Sequence, residues 1–160
     1  MARLYEILKE DLIDMSHIEN FADRIKYELK RAERYRIFVS FLIFDISSVI
    51  DDLGGSTMEG AENRINFINS INSVIRSAVR EVDAISNGSR VKIGVLCPET
   101  ARQGAEAAAR RIQSILAEYC ADHFKTTKDY IIPVEIASFP DAAGYRSIAS
   151  YFDEYSSEMN

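Results

Sequence analysis

The residues best suited to chemistry surround one predicted turn. The stretch "VREVDAISNGSRVKIGVLC", residues 79–97, carries Arg80 and Asp83 before the turn, and Arg90 and Lys92 after it. Because an arginine fork pairs with phosphate and other planar acceptors, two or three local arginines are enough to hold a small anionic ligand. A simpler interpretation is that Arg80 and Asp83 form only a surface ion pair near a helix end, which is worth less than about 1 kcal/mol.

Other reactive side chains lack the partners that their chemistry needs. His17 and His123 have no partner at the spacing of metal ligands or of a catalytic triad. Cys97 and Cys120 fit neither a metal motif nor a disulfide framework, so we expect two buried side chains that act as small hydrophobes. The sequence therefore predicts no metal site and no bound cofactor.

Hydrophobic periodicity predicts the elements that position these residues. Three- and four-residue spacing of apolar side chains predicts helices that end near Arg34 and near Arg80, a third helix over 105–116 and a closing helix over 145–155. Predicted strands cover residues 36–46, 83–86, 90–97 and 130–139. The 36–46 segment is apolar on both faces, which is typical of a central strand. This order predicts an α+β fold of the palm-like or ferredoxin-like kind, with a mainly antiparallel sheet flanked by helices.

Composition limits the classes of function. With 160 residues, 47% of them hydrophobic and 28% charged, the chain can form one domain over 1–160 with a substantial core. A formal net charge of -6 argues against a surface for DNA or RNA, since phosphate neutralisation needs a basic face. No segment is apolar for long enough to insert into a membrane and residues 1–15 do not look like a signal peptide, so we expect a cytoplasmic protein.

Five segments in order resemble the GGDEF domain, the fold of diguanylate cyclases, over nearly the whole chain. They read "FADRIKYELKRAERYRIFVSFLIFDISSV", "VREVDAIS", "VLCPET", "GAEAAARRI" and "ASFPDA". No single segment is specific, whereas the five together at suitable spacing are. The resemblance implies the GGDEF fold and a connection with cyclic di-GMP, which is the product of that family.

The signature that names this family is missing from the chain. Its five positions fall on Ser89, Arg90, Val91, Lys92 and Ile93, and none of them matches. In the family the two glycines let the backbone approach nucleotide phosphates, and the acids hold metal and substrate. Asp45 matches a metal ligand of the family, but Ser47 stands where the partner acid is expected. The resemblance therefore implies a degenerate domain that does not catalyse cyclase chemistry.

A second motif of the family is retained. In the family, an RxxD motif five residues before the signature binds cyclic di-GMP as an inhibitory site, and Arg80 and Asp83 match it. The segment "ARRIQ" supplies Arg111 where the family has a further arginine, although Arg110 and Arg111 also suit a solvated helix face. The resemblance implies that the arginines pair with guanine or phosphate, and that the acid accepts from the guanine N1 and N2 hydrogens.

Two functions remain open on the sequence. One is a receptor for cyclic di-GMP that acts through Arg80, Asp83 and Arg111; the other is a pseudoenzyme module that binds no nucleotide and serves dimerisation or protein docking. Both need a partner protein or a homodimer to pass on a signal. Residues 1–15 have apolar residues at helical spacing, so they are a candidate contact helix or a helix packed on its own domain.

Overall fold

The computed structural model describes residues 21–53, 58–86, 91–140 and 148 of the chain. Four helices and four strands lie within these ranges, and they follow in the order α1 (Phe21–Tyr35), β1 (Val39–Asp45), α2 (Ser47–Asp52), α3 (Met58–Ala78), β2 (Ala84–Ile85), β3 (Lys92–Pro98), α4 (Arg102–Phe124) and β4 (Val134–Phe139). The predictions for residues 1–15, for the hairpin turn and for most of the closing helix lie outside the described residues. None of the described helices is long and apolar enough to cross a membrane.

The four strands form one antiparallel sheet in the order β2-β3-β1-β4. Strand β1 pairs with β3 on one side, from Val39 opposite Pro98 to Asp45 opposite Lys92. On its other side β1 pairs with β4. The predicted α+β fold and the central position of this strand are therefore confirmed.

Strand β1 is apolar on both faces because helices cover both faces of the sheet. Leu42 and Phe44 contribute to the larger core, which also contains residues of α3 and α4. Phe41 and Ile43 point to the opposite face and contribute to a second core with residues of α1. Since successive side chains of a strand alternate between faces, a strand between two cores needs an apolar residue at nearly every position.

Two element boundaries beside the Arg80 turn differ from the sequence prediction. Helix α3 ends at Ala78 rather than near Arg80, and β2 is confined to Ala84–Ile85. Both changes have one cause: the residues from Arg80 to Asp83 form a hydrogen-bonded turn, in which the Asp83 N–H donates to the Arg80 carbonyl over 3.1 Å.

The fourth strand is also shorter than predicted, because it begins at Val134 instead of residue 130. Pro133 has no N–H with which to extend the ladder. Its carbonyl instead accepts a hydrogen bond from the backbone N–H of Asp45 over 3.0 Å. The preceding Tyr130 and Ile132 are buried in the larger core without being part of the strand.

Gly94 of β3 lies where the second core leaves no space for a side chain. A Cβ at this position would lie 2.9 Å from Cε1 of Phe21 and 2.9 Å from Cε2 of Phe41. The two rings pack against each other with centroids 5.9 Å apart. Helix α1 therefore sits close to the sheet because residue 94 is a glycine.

We expect Gly94→Ala to lower the free energy of unfolding by about 1 to 3 kcal/mol, since the added methyl group displaces two aromatic rings. The same substitution in a Phe21→Leu background should cost less, because one of the two clashing rings is gone. Urea denaturation of the four proteins measures the difference. An equal cost in both backgrounds would show that the methyl group does not meet Phe21.

Candidate functional site

The Arg80–Asp83 turn is closed by its own side chains. Oδ2 of Asp83 accepts from the backbone N–H of Arg80 over 2.9 Å, and Oδ1 accepts from Nη2 of the Arg80 guanidinium over 2.8 Å. Nε of Arg80 lies 3.4 Å from Oδ2. The Asp83 side chain is only 5% exposed, whereas that of Arg80 is 52% exposed. The turn therefore buries the acid and leaves much of the arginine accessible.

The Arg80 side chain also reaches the end of β3. Its Nη2 donates to the Pro98 carbonyl over 2.9 Å and to Oγ1 of Thr100 over 2.7 Å. The hydrogen bond to Asp83 raises the pKa of Arg80, although partial burial opposes this. Nη1 of Arg80 has no hydrogen-bond partner among the described residues, so one edge of the guanidinium is fixed and the other is open to a ligand.

Arg111 approaches the same place from α4. Its Nη2 donates to the carbonyl of Ala78, the last residue of α3, over 2.9 Å, and its side chain is exposed. The negative end of the helix dipole favours cations at this position. The structure thus brings Arg80 and Arg111 to one end of α3, as the sequence predicts.

A further arginine at this position was missed by the sequence analysis. Arg76 donates through Nη1 to the Asp83 carbonyl over 2.8 Å, and through Nη2 to the Arg80 carbonyl. Arg76 therefore links the first and last residues of the turn through their backbone carbonyls. The available signal was its spacing of four residues before Arg80, which places the two near each other at the end of one helix. Arg76 also lines a groove of about 490 Å³ between α3 and β2.

The charges of the three predicted residues act on one buried thiol. Cys97 is 3% exposed, and burial is the main cause that raises the pKa of its thiol to about 12. The Asp83 carboxylate contributes to this rise, while Arg80 and Arg111 oppose it. Cys120 is fully buried, and burial raises the pKa of its thiol to about 11. Both cysteines are free and buried, as expected.

The position of Asp83 corrects one expectation. The resemblance implies an acid that projects with Arg80 and accepts hydrogens from guanine. In the structure, both carboxylate oxygens of Asp83 already accept from Arg80, and the side chain is buried. Its role in the described arrangement is to orient Arg80.

Of the five positions of the missing signature, Ser89 and Arg90 are outside the described residues. Val91 directly precedes β3, and Lys92 and Ile93 begin that strand, at the end of the sheet opposite Pro98. Lys92 is half-buried and pairs with Asp45 across the strands. The seven residues of β1 separate this end from the Pro98 end by about 20 Å. The two sites of the family thus correspond to two separate places in this chain.

The one retained acid at that end has a structural contact. Oδ1 of Asp45 accepts from the backbone N–H of Ser47 over 2.9 Å, which satisfies a donor in the first turn of α2. Ile93 is buried in the larger core. Within the described parts of the chain, no group of three or more His, Cys, Asp or Glu residues is arranged to hold a metal ion.

Comparison with known proteins identifies the fold. No protein-family model and no curated protein matches the chain. Among solved structures, the active GGEEF domain of a diguanylate cyclase from Vibrio cholerae is 21% identical with a TM-score of 0.54, over 83% of this chain and 84% of that one. The GGDEF domain of DgcB from Caulobacter crescentus, in complex with c-di-GMP, is 17% identical with a TM-score of 0.57, over 87% and 82%.

A third similar structure is PelD from Pseudomonas aeruginosa PA14 in complex with c-di-GMP. It is 15% identical to this chain with a TM-score of 0.54, over 88% of this chain and 45% of that chain. Identities this low establish the arrangement of helices and strands. The chain has the GGDEF fold.

Proposed function

We propose that this chain is a catalytically inactive GGDEF-like domain that binds cyclic di-GMP at the end of α3, through Arg80 and Arg111 with Asp83 as the residue that orients Arg80. One observation carries the proposal: Arg80 from the turn after α3 and Arg111 from α4 both lie at this end, and Arg80 keeps Nη1 open while its other edge is fixed. The chemistry fits, because a cyclic dinucleotide offers two phosphates and two guanines to arginine forks.

Two of the similar structures support the choice of ligand. The DgcB domain and PelD both contain c-di-GMP. This chain shares their fold and retains the RxxD spacing with Arg111 on the following long helix. Arg111 donates to the last carbonyl of α3, and Arg80 lies in the turn that follows α3, so both guanidinium groups lie at the same end of that helix.

The loss of catalysis follows from the charge at the other end of the sheet. Two Mg²⁺ ions need several carboxylate oxygens. Here Lys92, at a position where the family has an acid, lies directly opposite Asp45. A lysine at this position supplies a positive charge where a metal site needs a carboxylate, which disfavours a metal ion.

A different observation favours the alternative of a module that docks without nucleotide. Val82 lies inside the Arg80–Asp83 turn and is 57% exposed, and Phe38 is 53% exposed. Phe38 directly precedes Val39, which lies opposite Pro98 in the sheet. Exposed apolar residues mark a protein contact where they form one patch. A partner protein or a second copy of the chain could bind at this end of the sheet. Such a partner would also respond to a ligand bound there.

We expect calorimetry to detect binding of cyclic di-GMP to the wild-type chain, and Arg80→Ala to weaken it about tenfold or more, since a hydrogen bond from a charged group is worth about 1.5 to 3 kcal/mol. Arg111→Ala should also weaken binding. The neighbouring Arg110→Ala is the matched control and should bind as wild type does. The receptor function fails if wild type does not bind at high micromolar ligand, or if Arg80→Ala binds equally well; the docking function then takes its place.

Asp83→Asn should lower both stability and affinity. The amide group brings an N–H donor to the Arg80 donors, and a buried group left unsatisfied costs about 1 to 3 kcal/mol. Thermal unfolding and a cyclic di-GMP titration measure the two effects, with the exposed Glu81→Gln as control. If affinity falls while the unfolding temperature stays unchanged, Asp83 contacts the ligand itself and the orienting role is wrong.

We expect no conversion of GTP to cyclic di-GMP by the purified chain with either Mg²⁺ or Mn²⁺. The reason is the absence of a second acid opposite Asp45. Chromatography of the reaction mixture against a no-enzyme control provides the measurement. Product above that control would show that catalysis is retained.

A further inference from the structure

We propose that Thr100 is a positioning residue for Arg80: its hydroxyl holds Nη2 of the guanidinium so that Nη1 faces the ligand. The expected effect of Thr100 on ligand affinity rests on the proposed cyclic di-GMP function. The contact itself does not depend on any ligand. Thr100 lies between the end of β3 and the start of α4, outside the RxxD motif.

Three acceptors share the two hydrogens of Nη2 of Arg80. Oγ1 of Thr100 is the nearest at 2.7 Å, followed by Oδ1 of Asp83 at 2.8 Å and the Pro98 carbonyl at 2.9 Å. Asp83 belongs to the same turn as Arg80, so by itself it leaves the long side chain free to move with the turn. Thr100 comes from 20 residues further along the chain and lies two residues after Pro98. Together with the Pro98 carbonyl, it therefore fixes the guanidinium relative to the sheet.

The Thr100 side chain is itself fixed. Its hydroxyl donates its single proton to the Pro98 carbonyl over 3.0 Å. Oγ1 is then an acceptor only, which is the role that an arginine donor needs. The Thr100 hydroxyl can therefore accept a hydrogen bond from Nη2 in the absence of any ligand.

The Thr100 backbone is anchored by two buried serines. Oγ of Ser40 donates to the Thr100 carbonyl over 2.7 Å, and Oγ of Ser138 lies 2.8 Å from Oγ of Ser40. Because the Ser40 hydroxyl gives its one proton to Thr100, Ser138 must be the donor to Ser40. A directional chain of hydrogen bonds therefore runs from β4 through β1 to Thr100.

Both serines lie where the sheet is otherwise apolar. Ser40 is fully buried and Ser138 is 7% exposed. Buried hydroxyls are unfavourable unless they are hydrogen-bonded, and a fully satisfied network rigidifies its surroundings. A purely structural role explains the contact from Ser40 to the Thr100 carbonyl. The contact of the Thr100 hydroxyl with Arg80 is separate from this network, because it uses the side chain of Thr100 and not its carbonyl.

Thr100→Val tests this difference, since valine keeps the shape of threonine and leaves the Ser40 and Ser138 contacts in place. Titration of the full chain with cyclic di-GMP should show Thr100→Val binding about three- to tenfold more weakly than wild type, the effect of one lost hydrogen bond. Thr100→Ser keeps the hydroxyl and should bind within about twofold of wild type. Thr126→Val removes a comparable hydroxyl that accepts from the Lys128 N–H, far from the site, and serves as the control.

A second measurement needs no ligand. In wild type labelled with ¹⁵N-arginine, we expect separate Nη1 and Nη2 signals for Arg80, because Nη2 is held. In Thr100→Val the two should merge as rotation about the Cζ–Nε bond accelerates, and in Thr100→Ser they should stay separate.

The outcomes separate the two proposals. Equal cyclic di-GMP affinity of wild type and Thr100→Val overturns the positioning role while the receptor function stands. No binding by wild type overturns the receptor function, and the Arg80 signals then decide about Thr100. Signals that are already merged in wild type, or that stay separate in Thr100→Val, overturn the positioning role in either case.

Discussion

The hydrogen bonds from Arg80 to the Asp83 carboxylate connect the end of α3 to the start of β2. They also set the orientation of the Arg80 guanidinium. One carboxylate accepts from the backbone and from the side chain of Arg80, which closes the turn after Ala78. Arg76 holds the same turn through the carbonyls of Arg80 and Asp83. Asp83 is buried while Arg80 and Val82 of the same turn are exposed, so the turn is anchored to the fold by its acid.

The two ends of the sheet differ in what they keep from the family. At the Pro98 end, arginines converge on the carbonyl end of α3, which gives an anionic ligand both charge and directed donors. At the Asp45 end, a lysine faces the one remaining acid. The two ends lie about 20 Å apart, and the strands between them are held by the two cores.

Much of the fold follows from local pattern. Apolar spacing predicts α1, α3 and α4, and the two-sided apolar run predicts that β1 is central. The end of α3 could not be predicted in this way, because it depends on a side chain that bonds back to the backbone of Arg80. The start of β4 at Val134 likewise depends on a hydrogen bond between distant residues, from the Asp45 N–H to the Pro133 carbonyl.

The residues of the candidate site can be predicted from the sequence, but their contacts cannot. Spacing relative to the lost signature identifies Arg80, Asp83 and Arg111, whereas the burial of Asp83 follows only from packing. Thr100 and Ser40 belong to distant segments and carry common residue types, so no sequence pattern connects them. Contacts between side chains of different elements are set by tertiary structure and are visible only there.

The position of the ligand tests the central claim most directly. A titration of the ¹⁵N-labelled chain with cyclic di-GMP, followed by NMR, should shift the side-chain signals of Arg80 and Arg111 and the backbone amides that follow α3. The signals of Asp45 and Lys92, about 20 Å away, should stay in place. Shifts confined to Asp45, Lys92 and their neighbours would contradict the account, because the ligand would then occupy the end of the sheet where the family signature is lost.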